Sequence, residues 1–255
     1  MKMSPLLRGL IAGAASSAVL LVLWEVLARV TGVRPIVLPL PSQVLLELGA
    51  EWRWYLGHAW YTTLTTLAGF VLSVLGGVLI GTAVASSRRC ERFVYPLVIA
   101  LNSVPKVAVA PLFVIWMGTG AEPKIAIAFL IAVFAIIVDT LHGLRSVPQD
   151  VLDVARVLKG RPLAVFFKVR LPGALPSIAA GMKVAVSLAL VGAIVGEFVS
   201  SQRGLGYVIM SAQGTFDTVR VFAALVLLAA IGLLLYGALV WIERLITPWR
   251  AHDTH

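Results

Sequence analysis

The chain has little charge and almost no cysteine for its length. Charged residues make up 13% of its 255 residues, whereas 60% are hydrophobic and the mean hydropathy is +0.96. A soluble domain carries about 25% charged residues, so the composition excludes that class and indicates a membrane protein. The single cysteine, Cys90, excludes an internal disulfide framework and a cysteine-rich metal site.

Sequence motifs for enzymatic chemistry are also missing. There is no GxSxG, no phosphate-binding P-loop and no dinucleotide fingerprint, and the four histidines are scattered without an HExxH-like pair. We therefore expect no catalytic residues, no metal site and no cofactor. Without a P-loop the chain does not hydrolyse ATP by that route, so energy for pumping would come from another subunit or from an ion gradient.

The net charge of +9 does not indicate a nucleic-acid partner. Membrane proteins acquire basic loops for topological reasons, because Lys and Arg are retained on the cytoplasmic side. With the N-terminus inside, thirteen Lys and Arg residues fall on the cytoplasmic side and six outside. This count predicts that both termini and the loop of residues 147–173 are cytoplasmic.

Long hydrophobic runs are what the sequence contains instead. Six of them are long enough to cross a bilayer, which needs about 20 residues. The runs are residues 10–28, 60–87, 93–117, 125–144, 174–199 and 221–242. The first run contains Glu25 and is followed by no small-residue cleavage site, so we take it as a span rather than a signal peptide. The sequence thus predicts one all-α transmembrane domain over residues 1–255 with six transmembrane helices.

Between the first two runs, residues 38–42 predict an extended segment that ends in a helix cap at Ser42. Val44, Leu45 and Leu48 follow at helical spacing. We expect a short amphipathic helix lying on the outer leaflet.

Small residues recur every four positions in the second and fifth runs. The two rows are Gly69, Ser73, Gly77, Gly81 and Ala85, and Ser177, Gly181, Ala185, Ala189 and Ala193. This spacing lets helix backbones approach closely in lipid. Both rows therefore predict packing within the bundle, and the row in the fifth run either does only this or also lines a moving interface.

The third run is interrupted by Pro105 and Pro111, which predicts a broken helix with unpaired backbone carbonyls. Helices broken at mid-membrane often form polar sites, and ionisable residues inside a membrane are costly. The candidate pathway residues are Asn102, Pro105, Lys106, Asp139, Lys183 and Glu197. Asp139 and Lys183 either serve the pathway, form an inert ion pair or reach the interface. Glu197 either gates the outer mouth or is simply exposed there.

The loop of residues 147–173 is the longest polar interruption, and it predicts two short helices separated by Gly160 and Pro162. The first begins near Asp150, and the second carries Leu163 and two phenylalanines on one side. The apolar ridge of this loop is too short to span a membrane. Either a second protein or the bilayer interface must cover it.

Within this loop, Asp153-Val154-Ala155, Gly160 and Leu171-Pro172 resemble the EAA loop of type I ABC importer permeases. Asp replaces the usual Glu, Val replaces the first Ala, and Lys159 stands where that family has Gly. In the family this segment docks into a groove on the ATPase subunit. The resemblance therefore assigns ATPase coupling to Asp153, Val154, Ala155, Gly160, Leu171 and Pro172.

Six further stretches resemble the nitrate/sulfonate/taurine branch of these permeases. They are residues 38–48, 66–81, 104–120, 139–147, 195–209 and 222–225. The resemblance implies a type I permease fold in a bacterial inner membrane and pairing with a second copy. It also implies a cytoplasmic ABC ATPase dimer and a periplasmic or lipid-anchored solute-binding protein as partners.

The resemblance leaves the solute open between a sulfonate, nitrate or taurine-like anion and a heterocyclic vitamin precursor such as a thiamine pyrimidine. In residues 139–147 the resemblance leads us to expect Asn at the position of Asp139. An acid that faces the path would disfavour a small anion, so this is a slight argument against nitrate or sulfonate. Two other classes of function stay open from the sequence. One is an ion-coupled secondary transporter that uses Lys106, Asp139 and Glu197, and the other is a membrane scaffold without transport.

Overall fold

The computed structural model describes residues 5–247, and all regular secondary structure in that range is helical. The helices are α1 (Pro5–Thr31), α2 (Pro41–Ala50), α3 (Trp52–Ser86), α4 (Arg88–Ser103), α5 (Lys106–Met117), α6 (Glu122–Arg145), α7 (Gln149–Val157), α8 (Pro162–Val165), α9 (Leu171–Val199), α10 (Leu205–Gly214) and α11 (Thr218–Ile246). A π-helical turn, Phe166–Arg170, joins α8 to α9. The predicted all-α class is confirmed. The predicted location of the two termini concerns residues outside the described range.

Helices α3, α6 and α9 form the centre of the bundle, and small residues set their spacing. A Cβ added to Gly77 of α3 would lie 2.6 Å from the Cβ of Ile136, and one added to Gly192 of α9 would lie 2.6 Å from the Cα of Ala128. Helix backbones come this close only where side chains are missing, and the gain is close van der Waals contact. The predicted packing role of the small-residue rows on α3 and α9 is confirmed, because a Cβ added to Gly181 of the α9 row would also lie only 2.8 Å from the Cβ of Asp139 on α6.

Replacing Gly192 by Ala is expected to destabilise the bundle by about 1–3 kcal/mol, since overpacking displaces backbone atoms. Gly237→Ala on α11 is the control, because no heavy atom lies within 4 Å of its added Cβ. That control should be neutral or slightly stabilising through helix propensity. Thermal unfolding of the two variants in nanodiscs tests this. Equal melting temperatures would contradict the close α6–α9 contact.

The predicted third span, residues 93–117, is not one straight helix. It consists of α4 and α5, which meet at an angle of 94°. Val104 and Pro105 between them have extended backbone conformations, as expected where a proline disfavours the helical region for the residue before it. The predicted break at Pro105 is confirmed. The predicted break at Pro111 is wrong, because Pro111 lies inside α5.

Four helical segments in the described range are long and apolar enough to cross a membrane, and the bent α4–α5 pair makes a fifth. They include α3, which starts at Trp52 rather than residue 60, and a continuous run from Pro162 to Val199 that contains α9. Helix α1 is a continuous helix of 27 residues that covers the first predicted run. The count of six spans stays a prediction.

The short helix between α1 and α3 begins two residues earlier than expected. Pro41 is its first residue and Leu40 its N-cap, so Ser42 is not the cap. The backbone N–H and hydroxyl of Ser42 instead donate to the carboxylate of Glu25, at 3.1 and 3.0 Å. Val44 is buried against α11 while Leu45 is exposed. Helix α2 thus ties α1 to the bundle and keeps one apolar face open.

Candidate functional site

The loop of residues 147–173 forms two short helices, as predicted, and leaves an apolar ridge uncovered. The ridge consists of Val154, Val157 and Leu158 around the end of α7 and Leu163 on α8. The Val157 side chain is 81% exposed, and those of Leu158 and Leu163 are 76% and 74% exposed. Large apolar side chains that cluster on one exposed surface mark an interaction site. The end of the molecule that carries this ridge is called the loop end below.

The turn between α7 and α8 is a Schellman motif. The N–H of Gly160 donates to the carbonyl of Ala155 and that of Lys159 to the carbonyl of Arg156, both at 3.0 Å. The left-handed residue of this motif is usually Gly. Here the left-handed residue is Lys159, with φ of +51°. The EAA loops that this segment resembles have Gly at that position. Gly160 has another role, because an added Cβ would lie 3.0 Å from the Ala155 carbonyl oxygen.

Lys159→Gly is therefore expected to stabilise the end of α7 by about 1 kcal/mol, the usual cost of a left-handed non-glycine residue. Gly160→Ala should act in the opposite direction, since it crowds the Ala155 carbonyl. Hydrogen exchange at the Leu158 and Gly160 amides measures both effects. Faster exchange in Lys159→Gly than in the unsubstituted protein would contradict this account of the turn.

Leu171 and Pro172 lie in the first turn of α9 rather than on the exposed ridge, and both are half-buried. Pro172 has no N–H, and its ring crowds the carbonyl four residues earlier in an α-helix. The wider π-helical turn relieves this, and the Leu171 N–H reaches the Phe166 carbonyl. The six residues assigned to coupling therefore lie on α7, in the turn and at the start of α9.

A cavity of about 530 Å³ lies under the loop helices and reaches the end of α3 at Thr82 and Ser86. Asp153, which the resemblance placed in the docking motif, is exposed and pairs with Arg156 at 2.5 Å. The ridge is thus held away from the bundle, with charged residues beside it. This arrangement suits docking of a protein surface.

At the opposite end of the bundle, Glu197 is buried with 1% of its surface exposed. Its Oε2 accepts the N–H of Gly206 at 2.7 Å, and the Thr62 hydroxyl donates to its Oε1 at 2.9 Å. The exposed alternative for Glu197 is therefore wrong. Its carboxylate instead caps the N-terminal end of α10, where negative charge is favourable. This end of the molecule is called the Glu197 end below.

The same contacts fix the turn before α10. Thr62 accepts the N–H of Leu205 at 2.8 Å, and His58 Nδ1 accepts that of Gly204 at 3.0 Å. Gly204 has φ of +103°, and an added Cβ would collide with the Glu197 carboxylate. Side chains of α3 and α9 thus hold the start of α10 in place by hydrogen bonds to its backbone N–H groups.

Lys124 is a residue that the sequence reasoning missed. The count of Lys and Arg residues from the sequence placed Lys124 among the charges on the outer side. In the structure it is fully buried at the start of α6. Its ammonium group donates to the carbonyl of Thr119 at 2.8 Å and to that of Ser200. Its position one residue before a predicted span was the available signal, but only the tertiary structure brings it to the end of α9.

The charged residues within the helices do not pair as considered from the sequence. Lys183 binds Glu243 of α11 at 2.8 Å rather than Asp139. Asp139 packs against Gly181 of α9 instead. The interpretation of Asp139 and Lys183 as an ion pair is therefore wrong, because α11 supplies a carboxylate that the sequence pattern could not place.

At the break between α4 and α5, Lys106 donates to the Asn102 side chain, and its Nζ lies 5.7 Å from the centre of the Phe134 ring. Within the described part of the chain, Lys106 has no carboxylate within ion-pair distance. The structure thus brings Asn102, Pro105 and Lys106 together at the break. It leaves Asp139, Lys183 and Glu197 in separate environments.

These features define a multi-pass α-helical membrane domain with a broken span and a loop that exposes an apolar ridge. The chain belongs to the family of binding-protein-dependent transport system inner membrane components, whose model matches residues 73–248. This confirms the class inferred from the resemblance, a membrane permease of the ABC transporter type.

Three relatives cover most of the chain. A probable ABC transporter permease protein of Haemophilus influenzae is 36% identical, over 88% of this chain and 91% of its own length. The formylaminopyrimidine transport permease protein ThiX of Halalkalibacterium halodurans is 33% identical, over 91% and 92%. The putative aliphatic sulfonates transport permease protein SsuC of Bacillus subtilis is 33% identical, over 95% and 88%.

The fold matches a solved structure, an inward-facing conformation of the MetNI methionine ABC transporter. The two chains superpose with a TM-score of 0.70 at 20% identity, over 78% of this chain and 98% of that chain. The predicted type I ABC importer permease fold is confirmed.

Proposed function

We propose that this chain is the membrane-spanning subunit of an ATP-driven importer for a small solute, coupled to a separate ATPase through the loop of residues 147–173. The uncovered apolar ridge on α7 and α8 is the observation that carries this proposal. A ridge of this kind needs a protein partner, and the relatives are named as ABC transporter permeases. The chain itself supplies no P-loop, so the hydrolysing subunit would be a cytoplasmic ABC ATPase dimer.

The path from the ridge to the bundle supports mechanical coupling. Helix α8, the π-helical turn and α9 run without a break from Pro162 to Val199. A push on Leu163 would therefore displace the whole of α9, which carries Lys183 at mid-length and Glu197 near its far end. Binding of ATP would draw the two ATPase subunits together and open a path between two copies of the chain toward the Glu197 end. Hydrolysis would return the path to the loop end.

In this proposal the loop end is cytoplasmic and the Glu197 end faces outward, as the distribution of Lys and Arg predicts. Two copies of the chain would sit in a bacterial inner membrane. A periplasmic or lipid-anchored binding protein would deliver the solute to the Glu197 end. The membrane location and the binding protein agree with the family description, which names both.

The broken helix supports a pathway role for Asn102, Pro105 and Lys106. Lys106 begins α5 beside the extended segment, and broken helices in transporters supply polar groups at mid-membrane. The solute would be of the kinds that the relatives are named for. ThiX is named for formylaminopyrimidine and SsuC for aliphatic sulfonates, so a heterocyclic vitamin precursor and a sulfonate, nitrate or taurine-like anion are the two candidates.

Uptake into proteoliposomes tests the proposal. The complete complex with its ATPase and binding protein should accumulate solute with ATP and not with a hydrolysis-defective ATPase. The chain reconstituted alone should give no uptake under a proton or sodium gradient. Gradient-driven uptake by the chain alone would contradict the proposal in favour of a secondary transporter.

A further inference from the structure

An open groove of about 500 Å³ lies between α9 and α11 within the membrane-spanning part of the molecule. Its apolar lining consists of Ala180, Val184 and Leu188 of α9. It is also lined by three residues with polar side chains, Lys183, Ser187 and Tyr236. Leu188 also packs against the α5 helix that follows the break, so the groove adjoins the broken helix.

Hydroxyl groups in this groove are left without protein partners. Within residues 5–247 no hydrogen bond to protein is made by the hydroxyls of Ser187 and Tyr236, although other Ser and Thr residues of the bundle, such as Ser73, bond to a carbonyl one turn earlier. The Tyr236 side chain is 44% exposed. An unpaired hydroxyl in hydrocarbon costs free energy, so the groove is suited to a polar solute rather than to acyl chains.

The charge of the groove is already balanced. The ammonium group of Lys183 lies 2.8 Å from the Glu243 carboxylate, and both side chains are largely buried. An oxyanion placed here would have to compete with Glu243 for that cation in a medium of low dielectric constant, which is costly. The groove therefore offers apolar side chains, an aromatic ring and two free hydroxyls with no net charge.

We propose that this groove binds a neutral, planar heteroaromatic solute, with one face on the apolar residues of α9 and its ring nitrogens or amino groups bonded to Ser187 and Tyr236. The Tyr236 ring would pack against the solute ring, as aromatic pairs do. The inference deepens the proposed function and rests on it, because it assumes that this face lines the path between two copies.

A rival site is the α4–α5 break, where Lys106 has no carboxylate partner among the residues that the structure describes. A cation of this kind would favour an anion. The two sites thus predict different solutes, and one binding experiment separates them.

The experiment is saturation-transfer NMR on the nucleotide-free complex of the permease and its ATPase in nanodiscs. The probes are 2-aminopyrimidine, which is neutral at pH 7, and methanesulfonate. The first should bind and the second should not. Tyr236→Leu should weaken 2-aminopyrimidine binding at least about tenfold, and Tyr236→Phe and Ser187→Val about fivefold each, as expected for loss of one hydrogen bond.

Trp241→Leu is the matched control, since it removes an exposed aromatic side chain from the same helix outside the groove. It should leave binding unchanged. Tyr236→Phe keeps the packing of α11, so a loss in that variant reports the hydroxyl rather than misfolding. Binding of 2-aminopyrimidine that is indifferent to Tyr236, or no binding of it at all, overturns the inference. So does methanesulfonate binding that Lys106→Gln removes.

Failure here is distinguishable from failure of the proposed function, because binding is measured without nucleotide. A complex that transports with ATP but shows no groove binding would refute the solute assignment alone.

Discussion

Aspartate at both Val157 and Leu158 is expected to abolish capture of the ATPase and to reduce solute uptake at least about 100-fold. The two side chains form the most exposed part of the apolar ridge. Truncation of central interface residues costs about 2 kcal/mol or more each, and a buried unpaired carboxylate adds to this. A combined loss of about 4 kcal/mol corresponds to ~1000-fold in affinity. Co-purification of tagged permease with its ATPase, followed by uptake assays, measures both effects.

Arg161→Gln is the control for this pair, because it changes charge in the same exposed turn without touching the ridge. It should keep both capture and uptake within about twofold, since exposed charges contribute little. The folded state of each variant is checked by its melting temperature in the absence of ATPase. Capture that survives the double substitution would show that the ATPase docks elsewhere.

The second large effect is expected at Glu197. Replacing Glu197 by Ala leaves the Thr62 hydroxyl and the Gly206 N–H without an acceptor in a buried site. It also removes a carboxylate that interacts electrostatically with the buried ammonium group of Lys124. Breaking a buried, charge-assisted network costs about 3–5 kcal/mol. We expect a large drop in melting temperature and faster hydrogen exchange at the amides of residues 204–208.

Two other variants identify the cause. Glu197→Gln keeps an acceptor for Gly206 and should lose less stability than Glu197→Ala. Glu122→Ala, an exposed carboxylate at the start of α6, should change the free energy of unfolding by under about 0.5 kcal/mol. If Glu197→Ala were as mild as Glu122→Ala, the network around Gly204 and Gly206 would not be what holds α10.

Local signals explain which parts of the fold were predictable from the sequence. Pro105 and Gly160 act on the backbone of their own neighbours. The break between α4 and α5 and the turn between α7 and α8 could therefore be predicted from these residues alone. Four-residue spacing of small residues is also a local pattern, and it identified α3 and α9 as closely packed helices of the bundle. That their common neighbour is α6 came only from the structure. The angle of 94° between α4 and α5 depends on the surrounding helices and had no such signal.

The electrostatic partners were not predictable for the same reason. Lys183 and Glu243 are 60 residues apart in the chain, and Glu197 and Thr62 are 135 apart. Depth along a span placed Asp139 near Lys183 but gave no information on which face of α9 meets α11. Lys124 was assigned to a loop, and its hydrogen-bond partners are backbone carbonyls. Every residue has a backbone carbonyl, so the sequence gives no sign of which ones a lysine will contact.

The most direct test of coupling is the distance between the two copies of the loop in the assembled complex. Spin labels at Leu163, introduced after Cys90→Ser removes the lone cysteine, report this distance by double electron–electron resonance. The account predicts a shorter distance when ATP is bound to a hydrolysis-defective ATPase than in the nucleotide-free complex. A distribution that is unchanged by ATP, in a complex that still transports, would contradict it.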